Sequence, residues 1–380
     1  MRSIRLLSIV WLALAAGGLS SPASAVGPEN VARIDRSLWP LPLQGEAAFD
    51  RASRAEILLA IGALHEFAEM DEAALMARLH VKSADTASVH KIAGKFGAIL
   101  LKNYQLAARS CSASEWPCPK VEDEAGLLDA GKALSTGMPA NFQPWFDAAA
   151  EFHRVYMAEI MRLAAVFSRV SSEVDTYSDA ERSGFELPDR HFLLTFDDGP
   201  TAKDGQTDQL LTVLRENHIH GAFFLLGERL EPRRKQTSPA ALAMLYEGQC
   251  TAAHGWEHQS HQRWAEWQSS VLNTRNLVKE SLPATYRAWF RPPYGQRQSD
   301  SGPFFTQNGV QIVLWNIDSQ DWNNNVSAME VAQRVQSLML LWRRGIILMH
   351  DIHSKARTAA PWLITQNQAD GVVWEDCRTY

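Results

Sequence analysis

The chain has 380 residues, of which 46% are hydrophobic and 21% are charged, so it is long enough for two domains and can bury a sizeable core. Its formal net charge is −6 at pH 7, and it therefore lacks the basic surplus with which proteins bind a phosphate backbone. This balance argues against nucleic acid as a partner.

A secretory signal is predicted at the N-terminus. Arg2 and Arg5 precede an apolar run over residues 6–19, and Ala-Ser-Ala at 23–25 has the small residues of a cleavage site, so we expect residues 1–25 to be removed. A membrane-spanning helix needs about 20 apolar residues, and we expect no integral membrane segment after cleavage. Without the two arginines, 35 basic residues face 43 acidic ones, a net charge of −8. The mature protein is expected in the periplasm or outside the cell, in the cell envelope.

The first half of the mature chain is predicted to be helical. Apolar residues recur at helical spacing, with few strand signals, over residues 48–69, 72–79, 88–108, 123–134 and 141–170. A polar segment, residues 171–190, follows and is the best domain boundary. We therefore predict an all-α domain over residues 26–185, and the sequence does not indicate its role.

Four cysteines in an exported chain can all be paired, in three possible connectivities. Cys111 and Cys118 bracket a short loop and form the expected local bridge. Cys250 and Cys377 would then join the second half to the C-terminal tail, with two free buried thiols as the alternative.

After residue 190, short apolar runs alternate with helical stretches, which is typical of βα units around a parallel sheet or barrel. Strands are predicted over residues 191–196, 221–226, 250–253, 288–291, 310–316 and 345–349. Helices are predicted over residues 208–217, 239–247, 263–281, 328–342 and 359–366. We therefore predict an α/β domain over residues 186–380. Catalytic groups of such folds collect at the C-terminal ends of the strands, so the polar residues there are the candidate site.

Asp197 and Asp198 end the first of these strands. Because neighbouring side chains at a strand end diverge, one carboxylate can face a metal ion while the other faces a reacting water. Asp-Asp-Gly is also an ordinary turn sequence, so the pair alone does not define a site.

Two histidines four residues apart, His254 and His258, can point at one metal ion. Asp198 would complete a His/His/carboxylate set, which suits zinc or another divalent ion and leaves positions open for water and substrate. A solvated histidine pair on a helix face is one alternative. Another is a metallopeptidase, because His-Gly-Trp-Glu-His also fits a pattern in which Glu257 is the base.

Three further strand ends carry polar groups. Arg291 precedes two prolines, whose fixed φ would hold the Tyr294 N–H in a direction where it could face an oxyanion. Arg291 itself could keep an aspartate ionised or form an ordinary structural ion pair. Asp318 and Asp321 follow another strand, and His350 follows the last one. A histidine whose pKa is raised by an aspartate stays protonated and can donate to a leaving group.

In combination, these segments resemble the polysaccharide deacetylase family with the NodB-homology domain, carbohydrate esterase family 4. The resemblance covers residue 187 to the C-terminus and rests on five segments in order: Thr-Phe-Asp-Asp-Gly-Pro from Thr195, His254-x-x-x-His258, Arg-Pro-Pro-Tyr-Gly from Arg291, Asp318-x-x-Asp321-Trp322, and Leu-Met-His from Leu348. It implies an α/β fold, a distorted (β/α) barrel with fewer than eight units, after the helical domain.

The resemblance also implies a divalent metal, Zn²⁺ first and Co²⁺, Ni²⁺ or Mn²⁺ as alternatives. The implied ligands are Asp198, His254 and His258. Two departures concern the metal segment: the family usually has Ser or Thr where this chain has Gly255, and Asn where it has Ala253. Neither removes a ligand, so we expect an active enzyme with altered surroundings of the metal.

The remaining site residues are likewise assigned through the resemblance. Asp197 would be the general base, oriented by Arg291, and His350 the general acid. Asp321 would tune His350, with Asp318 as the alternative. The Tyr294 N–H would face the oxyanion, and the substrate groove would be lined by Pro292, Trp322 and Leu348.

The implied activity is the hydrolytic removal of N-acetyl groups from a polysaccharide that contains N-acetylglucosamine. Peptidoglycan, an exopolysaccharide and a chitin-like polymer all present this group, and the sequence does not distinguish among them. The alternatives are the metallopeptidase that uses His254, Glu257 and His258, and a catalytically idle glycan-binding module.

Overall fold

The computed structural model describes residues 30–112, 114–168 and 173–380. The predicted signal segment, residues 1–25, lies outside these residues. In the part of the chain that is described, no helix has both the length and the apolar character needed to cross a membrane.

All five helices predicted for the first half are present. They are α1 (Glu46–Ala68), α2 (Glu72–Leu79), α3 (Thr86–Ala107), α4 (Glu124–Lys132) and α5 (Gln143–Val166). Aspartates begin three of them: the carboxylates of Asp71, Asp85 and Asp123 each accept a hydrogen bond, 2.8–2.9 Å long, from the backbone N–H three residues on. Such caps satisfy N–H groups that have no partner within the helix.

The second half is a curled sheet surrounded by helices. Its strands are β1 (His191–Asp197), β2 (Ala222–Leu225), β3 (Cys250–Ala253), β4 (Tyr286–Phe290), β5 (Gln311–Ile312), β6 (Ile317–Asp318), β7 (Gly345–His350) and β8 (Val373–Trp374). The sheet order is β5-β4-β3-β2-β1-β7-β6, with β8 beside β1, and the paired strands are parallel. The predicted distorted barrel of fewer than eight units is confirmed.

One predicted strand, residues 310–316, is wrong as a single element. Its first part is β5, which pairs with β4, whereas β6 begins at Ile317 and pairs with β7. Between them, Val313 bridges to Arg182, and the Asn316 side chain accepts the Ile346 N–H at 3.0 Å. The two edge strands of the sheet, β5 and β6, therefore both come from residues 311–318. Because one short segment forms both edges, the sheet must curl until its edges meet at this segment.

Seven helices accompany the strands: α6 (Gln206–Glu216), α7 (Gly227–Gln236), α8 (Pro239–Leu245), α9 (Trp267–Ser281), α10 (Gly302–Gln307), α11 (Ala328–Trp342) and α12 (Ala356–Gln366). The predicted helices correspond to α6, α8, α9, α11 and α12, and α7 and α10 were not predicted. Both disulfides are present, Cys111–Cys118 and Cys250–Cys377. The second joins β3 to the C-terminal tail beyond β8.

Helix α11 lies between the barrel and the helical half, and its residues are buried nearly all round. Ser53 of α1 donates to Leu340 O at 2.7 Å, and the Trp342 indole N–H donates to the Tyr156 hydroxyl of α5 at 2.8 Å. One hydrophobic cluster includes residues of both halves. The hydrophobic core is therefore continuous across the predicted domain boundary between residues 185 and 186, and this boundary stays a prediction.

Candidate active site

The site is built at the C-terminal ends of the barrel strands. Asp197 is the last residue of β1, and its register partners are Phe224 on β2 and His350 on β7. Asp198 follows in a left-handed conformation, with φ 78°, which aspartate tolerates better than most residues. This reversal gives the two neighbouring carboxylates different nearest partners, and Asp197 Oδ2 also lies 3.7 Å from His254 Nε2.

Asp198 lies against the two histidines of the loop after β3. Its Oδ1 is 3.3 Å from His254 Nε2 and 3.4 Å from His258 Nε2. Among the described residues, these three side chains form the group of ligand atoms, all within 4.8 Å of one another, that could hold a metal ion. Glu257, the base of the peptidase alternative, is not part of this group and accepts a hydrogen bond from Gln259.

The donor set fits a cation. His254 Nδ1 donates to the Arg291 carbonyl at 2.7 Å, so its Nε2 faces Asp198 with a lone pair when the ring is neutral. Burial lowers the pKa of His258 to about 4, so that ring is neutral at pH 7. Burial alone would raise the pKa of Asp198, but the neighbouring histidines, when they are protonated, outweigh burial and lower this pKa far below its usual range, His254 first and then His350 and His258. Asp198 Oδ1 is buried without a hydrogen-bond partner in the described structure, as expected of a ligand atom.

Asp197 has a cation as its partner. Arg291 Nη1 donates to Asp197 Oδ1 and to Thr195 Oγ1, both at 2.8 Å. Backbone carbonyls accept from the other nitrogens, Val313 O from Nε at 3.0 Å and Leu314 O from Nη2 at 2.9 Å. Because every nitrogen of this buried guanidinium is occupied, Arg291 fixes the orientation of the Asp197 carboxylate.

Asp321, and not Asp318, contacts His350. Its Oδ1 accepts from His350 Nδ1 at 2.7 Å, and its Oδ2 accepts from the His350 backbone N–H at 2.9 Å. Burial alone would lower the pKa of His350, but the Asp321 carboxylate and its hydrogen bond outweigh burial and raise this pKa to about 10. The carboxylate of Asp318 instead accepts from the backbone N–H and the side-chain amide of Gln320, both at 2.8 Å.

Tyr294, whose N–H is predicted to face the oxyanion, and the three predicted groove residues differ in exposure. Tyr294 has φ 59° and is 43% exposed, and its ring packs edge-on against His258 with centroids 4.5 Å apart. Trp322 is partly buried and Pro292 is buried. Leu348 is 4% exposed and belongs to the apolar cluster inside the barrel.

The structure explains why glycine occupies position 255, where the resemblance leads one to expect Ser or Thr. Its φ is +98°, and a Cβ there would lie 2.7 Å from His261 Cε1. His261 and Ser270 fill this space: Ser270 Oγ accepts the Trp256 N–H at 2.8 Å and lies 3.1 Å from His261 Nε2. These contacts span up to 14 residues, so no local pattern could have indicated them.

Asp351 is a second residue that the sequence reasoning missed. It is fully buried, and its Oδ2 accepts from Thr207 Oγ1 at 2.8 Å. Burial raises its pKa to about 8, although the Thr207 hydrogen bond opposes this shift. A Cβ on Gly199 would lie 1.9 Å from Asp351 Oδ2, so any side chain at this position would displace the Asp351 carboxylate. Its position next to His350 was the available signal.

Comparison with known proteins gives a consistent result for the second half. The family profile for polysaccharide deacetylases matches residues 185–313. The peptidoglycan-N-acetylmuramic acid deacetylase PdaC of Bacillus subtilis is 30% identical over 174 residues, 45% of this chain and 34% of that protein. A peptidoglycan-N-acetylglucosamine deacetylase of Bacillus cereus is 28% identical over 144 residues, 37% of this chain and 50% of that protein. This chain thus spans a third to a half of the length of these relatives.

Among solved structures, a family 4 carbohydrate esterase from Streptomyces lividans is 27% identical with a TM-score of 0.42, covering 48% of this chain and 91% of that one. The profile match contains Asp197, Asp198, His254, His258 and Arg291, and it ends before Asp321 and His350. The resemblance read from the sequence is confirmed: residues 185–313 of this chain match the polysaccharide deacetylase family.

Proposed function

We propose that the protein is a metal-dependent hydrolase that removes N-acetyl groups from a polysaccharide containing N-acetylglucosamine. One observation carries the proposal. The group Asp198, His254 and His258 lies at the same barrel mouth as two charge pairs, Asp197 with Arg291 and Asp321 with His350. A ligand set, a candidate base and a candidate acid are the parts that hydrolysis of an acetamide requires.

The ligands of the metal would be Asp198, His254 and His258, and mixed His and carboxylate donors favour Zn²⁺, with Co²⁺, Ni²⁺ or Mn²⁺ as alternatives. When bound, such an ion supplies a Lewis acid for the acetyl carbonyl and lowers the pKa of water.

Asp197 is the proposed general base. It takes a proton from the attacking water while the water oxygen bonds to the acetyl carbon. Arg291 holds the carboxylate in place through its 2.8 Å hydrogen bond. The backbone N–H of Tyr294 is the proposed donor to the oxyanion that develops on the acetyl oxygen.

His350 is the proposed general acid. Its Nδ1 donates to Asp321, so the proton available for transfer is on Nε2. Because its pKa is raised to about 10, the ring stays protonated at neutral pH. As the bond between the acetyl carbon and nitrogen breaks, His350 gives this proton to the departing amine, and acetate and a free amino sugar result.

The polymer and the compartment are also proposals. Relatives of this chain are named as peptidoglycan deacetylases, a chitin deacetylase of Saccharomyces cerevisiae and a chitooligosaccharide deacetylase of Sinorhizobium fredii. We propose a glycan of this class in the cell envelope as the substrate, reached after export. The groove would be lined by Pro292, Trp322 and Leu348.

The test is acetate release by the purified protein from peptidoglycan, an N-acetylglucosamine exopolysaccharide and chitin oligomers. Release should stop after dialysis against a chelator and return when Zn²⁺, Co²⁺, Ni²⁺ or Mn²⁺ is added. E257Q is the matched variant in the metal segment, because Glu257 would be the base of a peptidase. Near wild-type acetate release by E257Q supports the deacetylase. Peptide cleavage that E257Q abolishes, with no acetate from any glycan, would overturn it.

A further inference from the structure

We propose that the helical half positions the catalytic acid. In this proposal Glu159 on α5, acting through Arg334 on α11, fixes the loop 318–321 that holds His350. The inference rests on the proposed function for the role of His350, and it assigns to the helical half a part in that function. It names Glu159 and Arg334 as positioning residues.

Arg334 connects the two halves through one guanidinium. Toward the helical half, Nη2 is 2.7 Å from Glu159 Oε2, and Nη1 donates to Glu159 Oε1 at 3.2 Å and to Ala32 O at 3.1 Å. Toward the barrel, Nε donates to the backbone carbonyl of Asp318 at 3.0 Å. Arg334 is 1% exposed and Glu159 is 8% exposed. The bidentate contact with Glu159 therefore sets the direction of the Nε–H bond.

The carbonyl that Arg334 holds begins the loop that carries Asp321. Asp318 ends β6, and its carboxylate accepts both hydrogen bonds from Gln320, which has φ 59°. This left-handed residue reverses the chain so that Asp321, three positions after Asp318, meets both His350 Nδ1 and its backbone N–H. Glutamine is uncommon in this conformation and needs its surroundings to hold it. Arg334 and the Gln320 contacts supply that support.

The chemistry of the Arg334–Glu159 ion pair favours a role in positioning the loop over a role in packing alone. A buried ion pair is weak evidence for stability, because apolar residues of similar volume often stabilise a core as well or better. Here the pair crosses the boundary between the halves and ends on the main chain of the loop that carries Asp321. Its geometry specifies where that loop lies, which apolar side chains would specify less well.

The variant that tests the inference is E159Q, which keeps the shape of the side chain and removes the charge that orients Arg334. The matched control is E151Q on the same helix, whose side chain is exposed and pairs with Arg154. For each protein, kcat and KM for acetate release, metal content, thermal unfolding and the pH profile of kcat are measured where the protein is folded. The titratable groups that face His350 are Asp321, Asp197, Asp198, Asp318, Asp351, His258 and His353, and neither substitution changes them.

We expect E159Q to lower kcat by about 10-fold or more, since a displacement near 1 Å can cost about 100-fold. KM and metal content should stay within about 2-fold of the wild-type values. The alkaline limb of the pH profile should move to lower pH by roughly one unit, because a displaced Asp321 raises the pKa of His350 less. E151Q should behave as wild type. R334K is the second variant if E159Q does not fold: it keeps a positive charge beside Glu159 but lacks the fixed Nε donor, and the same kinetic changes are expected.

A folded E159Q with wild-type kcat and an unchanged pH profile would overturn the inference, and so would an equal loss in E151Q. If the wild type releases no acetate from any glycan, the proposed function fails, but the inference is still tested. In that case the pKa of His350 is measured by NMR, with the signal assigned by comparison with H350Q. A lowered pKa in E159Q supports the inference, and an unchanged pKa contradicts it.

Discussion

Asp197 and Asp198 are adjacent in the sequence, yet the structure gives them different electrostatic surroundings. Asp197 faces the guanidinium of Arg291, whereas Asp198 faces the Nε2 atoms of His254 and His258. A carboxylate whose orientation is fixed can accept a proton from a reacting water, and one that faces imidazole lone pairs suits metal binding. The two roles can be separated by matched substitutions.

D198N should weaken metal binding by about 10-fold or more, because it removes a charge from the ligand set and even outer partners of a metal site have effects of this size. D197N should keep its metal and slow the reaction by about 10²–10⁴-fold, as expected for loss of a general base. Metal analysis and acetate release on both purified variants check this. Excess metal should partly rescue D198N and never D197N; equal metal loss in both would disprove the assigned roles.

The pair of Asp321 and His350 predicts a pH dependence. The raised pKa, about 10, means that the protonated ring is retained through neutral pH and lost as the pH rises through that value. D321N removes the charge and the strong acceptor, so the pKa should fall toward about 6.5. Since the protonated form is the proposed acid, the alkaline limb of the pH profile should move to lower pH. The loss in kcat should be smallest near pH 6 and largest above pH 8, and a profile displaced equally at every pH would contradict the assignment.

Only part of the candidate site could be predicted from the sequence. The strand ends and their acids were visible, but Asp318 and Asp321 could not be told apart, because the choice depends on where β6 ends and on the left-handed Gln320. For Asp351, the only feature of the sequence that indicated a role in the site was its position next to His350. His261 and Ser270 carried none, since their contacts depend on the packing of α9 against the metal segment.

At the scale of elements, periodicity predicted the helices that have a long apolar face and missed two short helices, α7 and α10. Helix α7 is short and highly charged, and it contains Pro232, so no apolar stripe indicated it. The split of residues 310–316 into β5 and β6 depends on their partners, β4 and β7, which are far away in the sequence. Pairing of this kind is set by the whole barrel and cannot be read from a local pattern.

The loop between β3 and α9 allows a prediction for one element. Gly255 has φ +98° and lies against His261, so G255A should strain the backbone and push His261 away from the segment between His254 and His258. We expect metal affinity to fall by about 10-fold and the protein to be destabilised by more than about 1 kcal/mol.

The control for G255A is the same substitution at a second glycine, G302A at the start of α10. Nothing lies within 4 Å of a Cβ at Gly302, and the φ of this glycine is not positive. Calorimetric metal titration and thermal unfolding of both variants test the prediction. G255A that binds metal as tightly as G302A would show that the loop does not need glycine.

At the scale of the molecule, the helical half and the barrel share α11. The carbonyl of Trp342 accepts from the Asn103 side chain of α3 at 3.0 Å, and Arg334 pairs with Glu159 of α5. The apolar residues of α11 that face away from the barrel pack into the cluster common to both halves. These contacts would be exposed to water if residues 186–380 were separated from the rest.

A fragment of residues 186–380 should therefore be less stable than the chain of residues 26–380. Breaking one buried ion pair costs about 3–5 kcal/mol, and about 1 kcal/mol corresponds to roughly 2–4 °C in a domain of this size, so Tm should fall by at least about 6 °C. The uncovered face of α11 should also cause self-association. Size-exclusion chromatography, thermal unfolding and metal content of both proteins are the measurements. A monomeric fragment with the Tm and metal content of the longer chain would show that the barrel folds independently and that the helical half only adheres to it.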